Sequence, residues 1–297
     1  MKSMYKNRVA TFCLFCLPLF AVYLVFSFTP LVKTFIYSLT DWSGYGTEYN
    51  WIGLDNFKKV MQDTEFWHAL TVNLRLFLIG GLCVLGVALI CAGLITQSKL
   101  PESKYYRIIL YMPNIISGVV IAILWKFIFS PNFGLINSAL DAIGLGHLAK
   151  NWLGTKDTVL GAIMIVWTWS GFGYYMLLMI AAIEGIPSTY LEAAEIDGAN
   201  AFQRFVRIVL PLVADMVKTC IVFFTLNAFT GVFALIKFMT DGGPAGYSRD
   251  IINYLYQNAF GNSKFGYSAA LGVVICILIG SLVAVILRLT RTEDVEY

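Results

Sequence analysis

Six charge-free, largely apolar runs divide this chain, at Val9–Val32, Leu76–Ser98, Ile108–Trp125, Thr158–Ile183, Thr219–Ile236 and Phe265–Leu287. Each reaches the roughly 18 residues that a helix needs to cross a bilayer. A backbone in lipid must satisfy its own hydrogen bonds, and runs this long do so as helices, because barrel strands are about 10 residues long and alternate in polarity. With a mean hydropathy of +0.72 and only 13% charged residues, a soluble domain is excluded. The expectation is an all-α membrane protein with six transmembrane helices, and one transmembrane domain over residues 1–297.

The first run follows Lys2, Lys6 and Arg8. It is longer than the roughly 7 to 15 apolar residues of a signal core and no small-residue cleavage site follows, so it reads as a retained anchor. Basic residues stay cytoplasmic, and Lys99, Lys104 and Arg107 after the second run, with Arg288 and Arg291 near the end, agree with those at the start. Both termini then face the cytoplasm. Loops 33–75 and 237–264 lie outside and loop 184–218 lies inside.

Several chemistries are disfavoured. A net charge of +3 follows from basic residues flanking membrane helices and calls for no nucleic acid. Cys13, Cys16, Cys83, Cys91, Cys220 and Cys276 all fall within apolar runs, and the Cys13–Cys16 spacing has no metal-site context. No GxxxxGK[ST] phosphate loop occurs, so no cofactor is assigned to this chain and no site for ATP. His68 and His147 are isolated, and the apolar cores lack the carboxylates that ion-coupled carriers commonly place in the membrane. Energy for any transport would come from another subunit.

The inner loop has a reading of its own. Pro187 ends the fourth helix region, Thr189 is placed to cap a new helix, and Glu192 three residues on completes a capping box. A short helix from about Tyr190 to Ile196 follows, nearly bare at Ala193 and Ala194, with Gly198 as a left-handed stop. A second amphipathic stretch, Ala201–Leu210, carries Arg204 and Arg207 and leads into the fifth helix through Pro211. On these grounds alone an ordinary connector fits as well as a docking element.

The run Glu192-Ala193-Ala194, Gly198, Ile208, Leu210-Pro211 resembles the EAA loop of permease subunits of bacterial ABC importers. The resemblance implies a type I importer permease fold, and coupling helices that dock on an ATP-binding subunit. Glu192 would make polar contact with that subunit, Ala193 and Ala194 would pack in its cleft, and Gly198 would make the turn. Asp197, in Glu195-Ile196-Asp197-Gly198-Ala199, is similar to the carbohydrate branch. Three more segments resemble that branch: Trp51–Phe57, Met112-Pro113 through Asn137, and Met239–Pro244 with Tyr254–Tyr256. In the last of these Gly242, Gly243 and Pro244 would face the extracytoplasmic binding protein. Asp241 departs from the pattern, standing where glycine is common.

Aromatic faces stack on sugar rings and a buried amide bonds hydroxyls. Trp167, Trp169 and Tyr174 in the fourth helix and Asn227 and Phe229 in the fifth are therefore candidates for a substrate path, although aromatics and glycines serve ordinary membrane packing equally well. The spans offer no Arg or Lys for a phosphate, which favours a neutral sugar.

The expected protein is a non-catalytic, multi-pass permease subunit of the bacterial cytoplasmic membrane, importing a sugar or oligosaccharide. Its implied partners are a second homologous permease, two ABC ATPases that carry ATP and Mg, a sugar-binding protein and membrane lipid. A self-sufficient, ion-coupled sugar carrier is the alternative.

Overall fold

The computed structural model describes residues 14–97 and 102–289. Lys2, Lys6, Arg8, Lys99, Arg291 and Cys13, on which parts of the orientation and cysteine readings rest, lie outside the described residues. Within them the architecture is helical, with one isolated antiparallel bridge between Thr40 and Trp51. The helices are α1 Leu14–Ser38, α2 Asp55–Gln62, α3 Thr64–Gln97, α4 Ser103–Ile115, α5 Gly118–Ile128, α6 Leu135–Ala142, α7 Val159–Glu184, α8 Ser188–Ile196, α9 (201–212), α10 Ala214–Met239, α11 (251–261) and α12 Phe265–Leu289.

Five of the six apolar runs form helices long and apolar enough to cross a membrane: α1, α3, α7, α10 and α12. The third run does not form the single straight span expected of Ile108–Trp125. It breaks into α4 and α5, which meet at 93°. Pro113 removes one backbone donor, and Ile116 and Ser117 take extended ψ values of 138° and 134°, so the helical ladder stops there. The second span also starts earlier than its apolar run. Residues 64–75 carry Glu65 and Arg75, which a hydropathy reading rejects, yet they bury Phe66, Ala69, Leu70, Val72 and Asn73 and continue into α3.

The chain divides into two compact units, 1–63 with 255–278 and 64–254 with 279–297. In the first, the segment after α1 is fixed by amides. Asn56 is buried and donates to the carbonyls of Ser38 (3.0 Å) and Thr40 (2.8 Å). Asp41 accepts from the Asn50 backbone N–H (2.7 Å) and side chain (3.0 Å), and these bonds hold its carboxyl below the usual range. Gly266 lies against this segment so closely that a Cβ there would fall 2.1 Å from the Thr40 carbonyl oxygen. Tyr267 donates to Asp63.

In the second unit α7 is the central helix, packed on α3 and α4. Small residues set the spacing. A Cβ on Gly173 would meet the Leu110 carbonyl oxygen at 2.6 Å, and one on Gly80 would meet the Trp167 ring at 2.7 Å. Buried Asn73 links two further elements, donating to the Ala228 carbonyl (3.0 Å) and accepting from the Ile251 N–H (2.8 Å). Beside it, buried Asp250 accepts from the Asn253 N–H (3.1 Å) through Oδ1, while its Oδ2 is buried without a partner. Burial pushes the Asp250 carboxyl up to about 6.

Two expected outcomes follow from this packing. A leucine at Gly173 forces α4 away from α7, so Gly173→Leu lowers stability by at least the roughly 1–3 kcal/mol of an overpacked core, read as a lower unfolding midpoint in detergent. Asp250 holds its proton more tightly folded than unfolded. Its contribution to stability is therefore complete below the ordinary carboxylate range near pH 4 and is lost as pH rises through about 6. Asp250→Asn should flatten the corresponding fall in unfolding midpoint between about pH 4 and pH 6.5; an unchanged pH profile would contradict this.

Candidate functional site

The segment between α7 and α10 turns tightly, with Gly185 and Ile186 N–H groups still bonded to the carbonyls of Ala181 and Ile183, both at 3.2 Å. Pro187 then starts α8. The expected cap at Thr189 with Glu192 does not form: α8 begins one residue before Thr189, with Pro187 at the cap position and no side-chain bond. The capping box sits one helix later. Asn200 accepts from the Gln203 N–H (2.9 Å) and Gln203 accepts from the Asn200 N–H (3.0 Å), which fixes the start of α9.

Gly198 terminates α8 in the left-handed region, at φ +80°, and the Ala199 N–H closes back on the Ala194 carbonyl (2.9 Å). Arg204 spans the turn, 3.4 Å from Glu195 and 3.4 Å from the Ala199 carbonyl. The two alanines part company: Ala193 is exposed, whereas Ala194 is buried against its own chain. Glu192, Asp197 and Pro211 are exposed, and Ile208 and Leu210 are half-buried. Pro211 lies in the last turn of α9, not in the span, because Val213 (φ −97°, ψ 9°) separates it from α10.

The sequence reading missed Ile196 and Phe202. They are 87% and 75% exposed on either side of Gly198, so the α8–α9 corner presents two large apolar side chains in a polar segment. That pattern was visible in the sequence as two large apolar residues flanking the turn glycine.

A second constellation lies within the helices of the same unit. A cleft of about 440 Å³ is lined by Asn114, Trp167, Gly171, Tyr174, Asn227 and Thr230, among others, and among the described residues no charged side chain lines it. Trp167 Nε1 donates to Asn227 Oδ1 (3.2 Å). An indole nitrogen only donates, so this bond turns the carboxamide oxygen inward and leaves the amide nitrogen for other acceptors. Asn114 donates to the Ser170 carbonyl (3.3 Å) and, with Pro113, Ile116 and Gly118, lines an adjoining pocket against Trp167 and Asn227. The break between α4 and α5 thus places Asn114 beside the two residues that the sequence singled out.

Trp169 and Phe229 lie elsewhere. Trp169 meets Trp125 with ring centroids 5.6 Å apart, and Phe229 is buried against Phe77 at 6.1 Å. Trp167 is itself buried, its ring stacked on Phe224 at 5.0 Å, and it offers an edge to the cleft.

Gly243 and Pro244 border a larger cleft of about 880 Å³ with Lys126, Phe127, Phe133 and Asn151. Asp241 takes φ +51° and Gly242 φ +80°. Asp241 therefore adopts the conformation in which glycine is common, helped by its ion pair with Lys237 (2.6 Å). Ser248 donates to the Gly243 carbonyl (2.6 Å).

Residues 84–290 match the family described as the binding-protein-dependent transport system inner membrane component. The chain is 34% identical to the diacetylchitobiose uptake system permease protein NgcF of Streptomyces coelicolor, over 98% of this chain and 86% of that protein. It is 31% identical to the trehalose/maltose transport system permease protein MalF of Thermococcus litoralis, over 94% and 92%. The fold superposes with a TM-score of 0.81 on a chain of a bacterial alginate ABC transporter crystallised with an alginate pentasaccharide-bound periplasmic protein, at 23% identity over 97% and 98% of the two chains.

Proposed function

This chain belongs to the binding-protein-dependent transport system inner membrane components, and we propose that it forms one half of the membrane pathway through which an ATP-driven importer brings a neutral oligosaccharide into the cytoplasm. The observation that carries the reading is the α8–α9 corner. Its backbone turns at Gly198, a capping box and an arginine brace hold it, and it exposes Ile196 and Phe202 with Glu192 and Ala193 to a partner. Two ABC ATPases, carrying ATP and Mg, supply the energy there, and each grips one such corner. A second, similar permease completes the pathway, and a sugar-loaded binding protein delivers substrate at the Gly242–Pro244 turn. ATP binding draws the two corners together and opens the pathway outward; hydrolysis resets it. The ion-coupled carrier finds no support in the family relationship.

Neutral sugar is favoured by the cleft. Amides, a hydroxyl and aromatic rings line it without a cation to select phosphate or carboxylate. The named relatives fit this, since NgcF and MalF are described as handling diacetylchitobiose and trehalose or maltose.

Gly198→Leu puts a side chain where φ is +80°, at a cost of about 1–2 kcal/mol. It should leave membrane insertion intact while the ATPase is lost on purification and uptake is abolished; normal uptake would remove the corner from the mechanism. Asn227→Leu should lower uptake about 3- to 10-fold, the worth of one hydrogen bond to a hydroxyl, with the bound ATPase unchanged. Uptake at the parental rate would take Asn227 out of the pathway.

A further inference from the structure

Arg107, in the second turn of α4, and Glu184, the last residue of α7, form an ion pair. The Arg107 side chain is 27% exposed, with its Nε buried without a partner, and the Glu184 side chain is 51% exposed, so the pair stands half in solvent at the ends of the two helices. Residue 184 stands four residues before α8 begins, across a linker whose N–H groups remain bonded back to α7. At its other end α4 reaches the break at Ile116, where Pro113 and Asn114 line the pocket shared with Trp167 and Asn227. Between those ends, α4 rests on α7 at Gly173, and Asn114 bonds Ser170.

Resting on the function proposed above, we propose that the Arg107–Glu184 pair is a strut that makes α4 move with α7, so that displacement of the α8–α9 corner by the ATPase reaches the pathway through both helices. The pair sits where α7 hands force to α8. On α7, Gly173 and the Ser170 carbonyl that Asn114 bonds lie at least ten residues from that point, whereas the pair ties α4 to α7 at the end next to α8. Arg107 and Glu184 are therefore positioning residues. They touch no substrate, and they decide whether one helix or two follows the corner.

The test uses the intact transporter with its ATPases in nanodiscs, in a background with the six native cysteines replaced. Spin labels are placed at Tyr105→Cys and Ala181→Cys, both exposed positions beside the pair. The interlabel distance is read without nucleotide and after trapping with ATP and vanadate. The parental pair should keep one distance in both states. Arg107→Gln and Glu184→Gln should each give a longer, broader distribution on trapping, and the swapped R107E/E184R variant should restore the parental one. If a single variant fails to accumulate, R107Q/E184Q, which leaves no lone charge, is read in its place and should broaden likewise. A parental distance in the Gln variants, or a swapped pair that stays broad, would overturn the strut alone. Failure of the parental chain to carry an ATPase would overturn the function on which it rests, and the strut with it.

Discussion

The close approach of α4 to α7 is the contact on which the rest of the second unit depends. With a carbonyl oxygen 2.6 Å from where a Cβ would stand, only glycine at position 173 lets the two backbones meet. That approach brings Asn114 within bonding distance of the Ser170 carbonyl, places the α4–α5 break beside Trp167 and Asn227, and lets Arg107 reach Glu184. A bulkier residue would separate the polar groups that line the cleft and the ion pair at the end of the helix together. Packing, in this unit, is what assembles the cleft.

Electrostatics follow the same division. The cleft is lined by neutral donors and acceptors, while the charged pairs lie at helix ends and turns: Arg107 with Glu184, Arg204 with Glu195, Lys237 with Asp241, Arg249 with Glu65. Charges inside a membrane are costly, and at helix ends they brace turns where solvent meets them. Asp250 is the exception, a buried carboxyl with one oxygen unpartnered, and burial raises its affinity for a proton.

Much of this was legible in the sequence for a simple reason: lipid demands long apolar helices, and hydropathy counts them directly. Gly198 was legible because a left-handed stop needs glycine. What hydropathy could not show is tertiary. Ile108–Trp125 is apolar throughout and reads as one span, yet the extended backbone at Ile116 and Ser117 turns it through 93°. Residues 64–75 are helical because Phe66 and Asn73 are buried, which no charge count reveals. The capping box went to Asn200 and Gln203 instead of Thr189 and Glu192, since Pro187 already starts α8. Among the aromatics, type alone could not separate Tyr174, which lines the cleft, from Trp169, which packs on Trp125.

The central claim is that separate ATPases drive this chain through the α8–α9 corner. It is tested most directly by purifying the chain from its native membrane in mild detergent, identifying what accompanies it by mass spectrometry, and reconstituting the assembly for sugar uptake. The account predicts a co-purifying ATPase with a phosphate-binding loop and a second permease with its own EAA loop, and uptake that requires ATP and the binding protein. A chain that purifies alone and still takes up sugar along an ion gradient would contradict it.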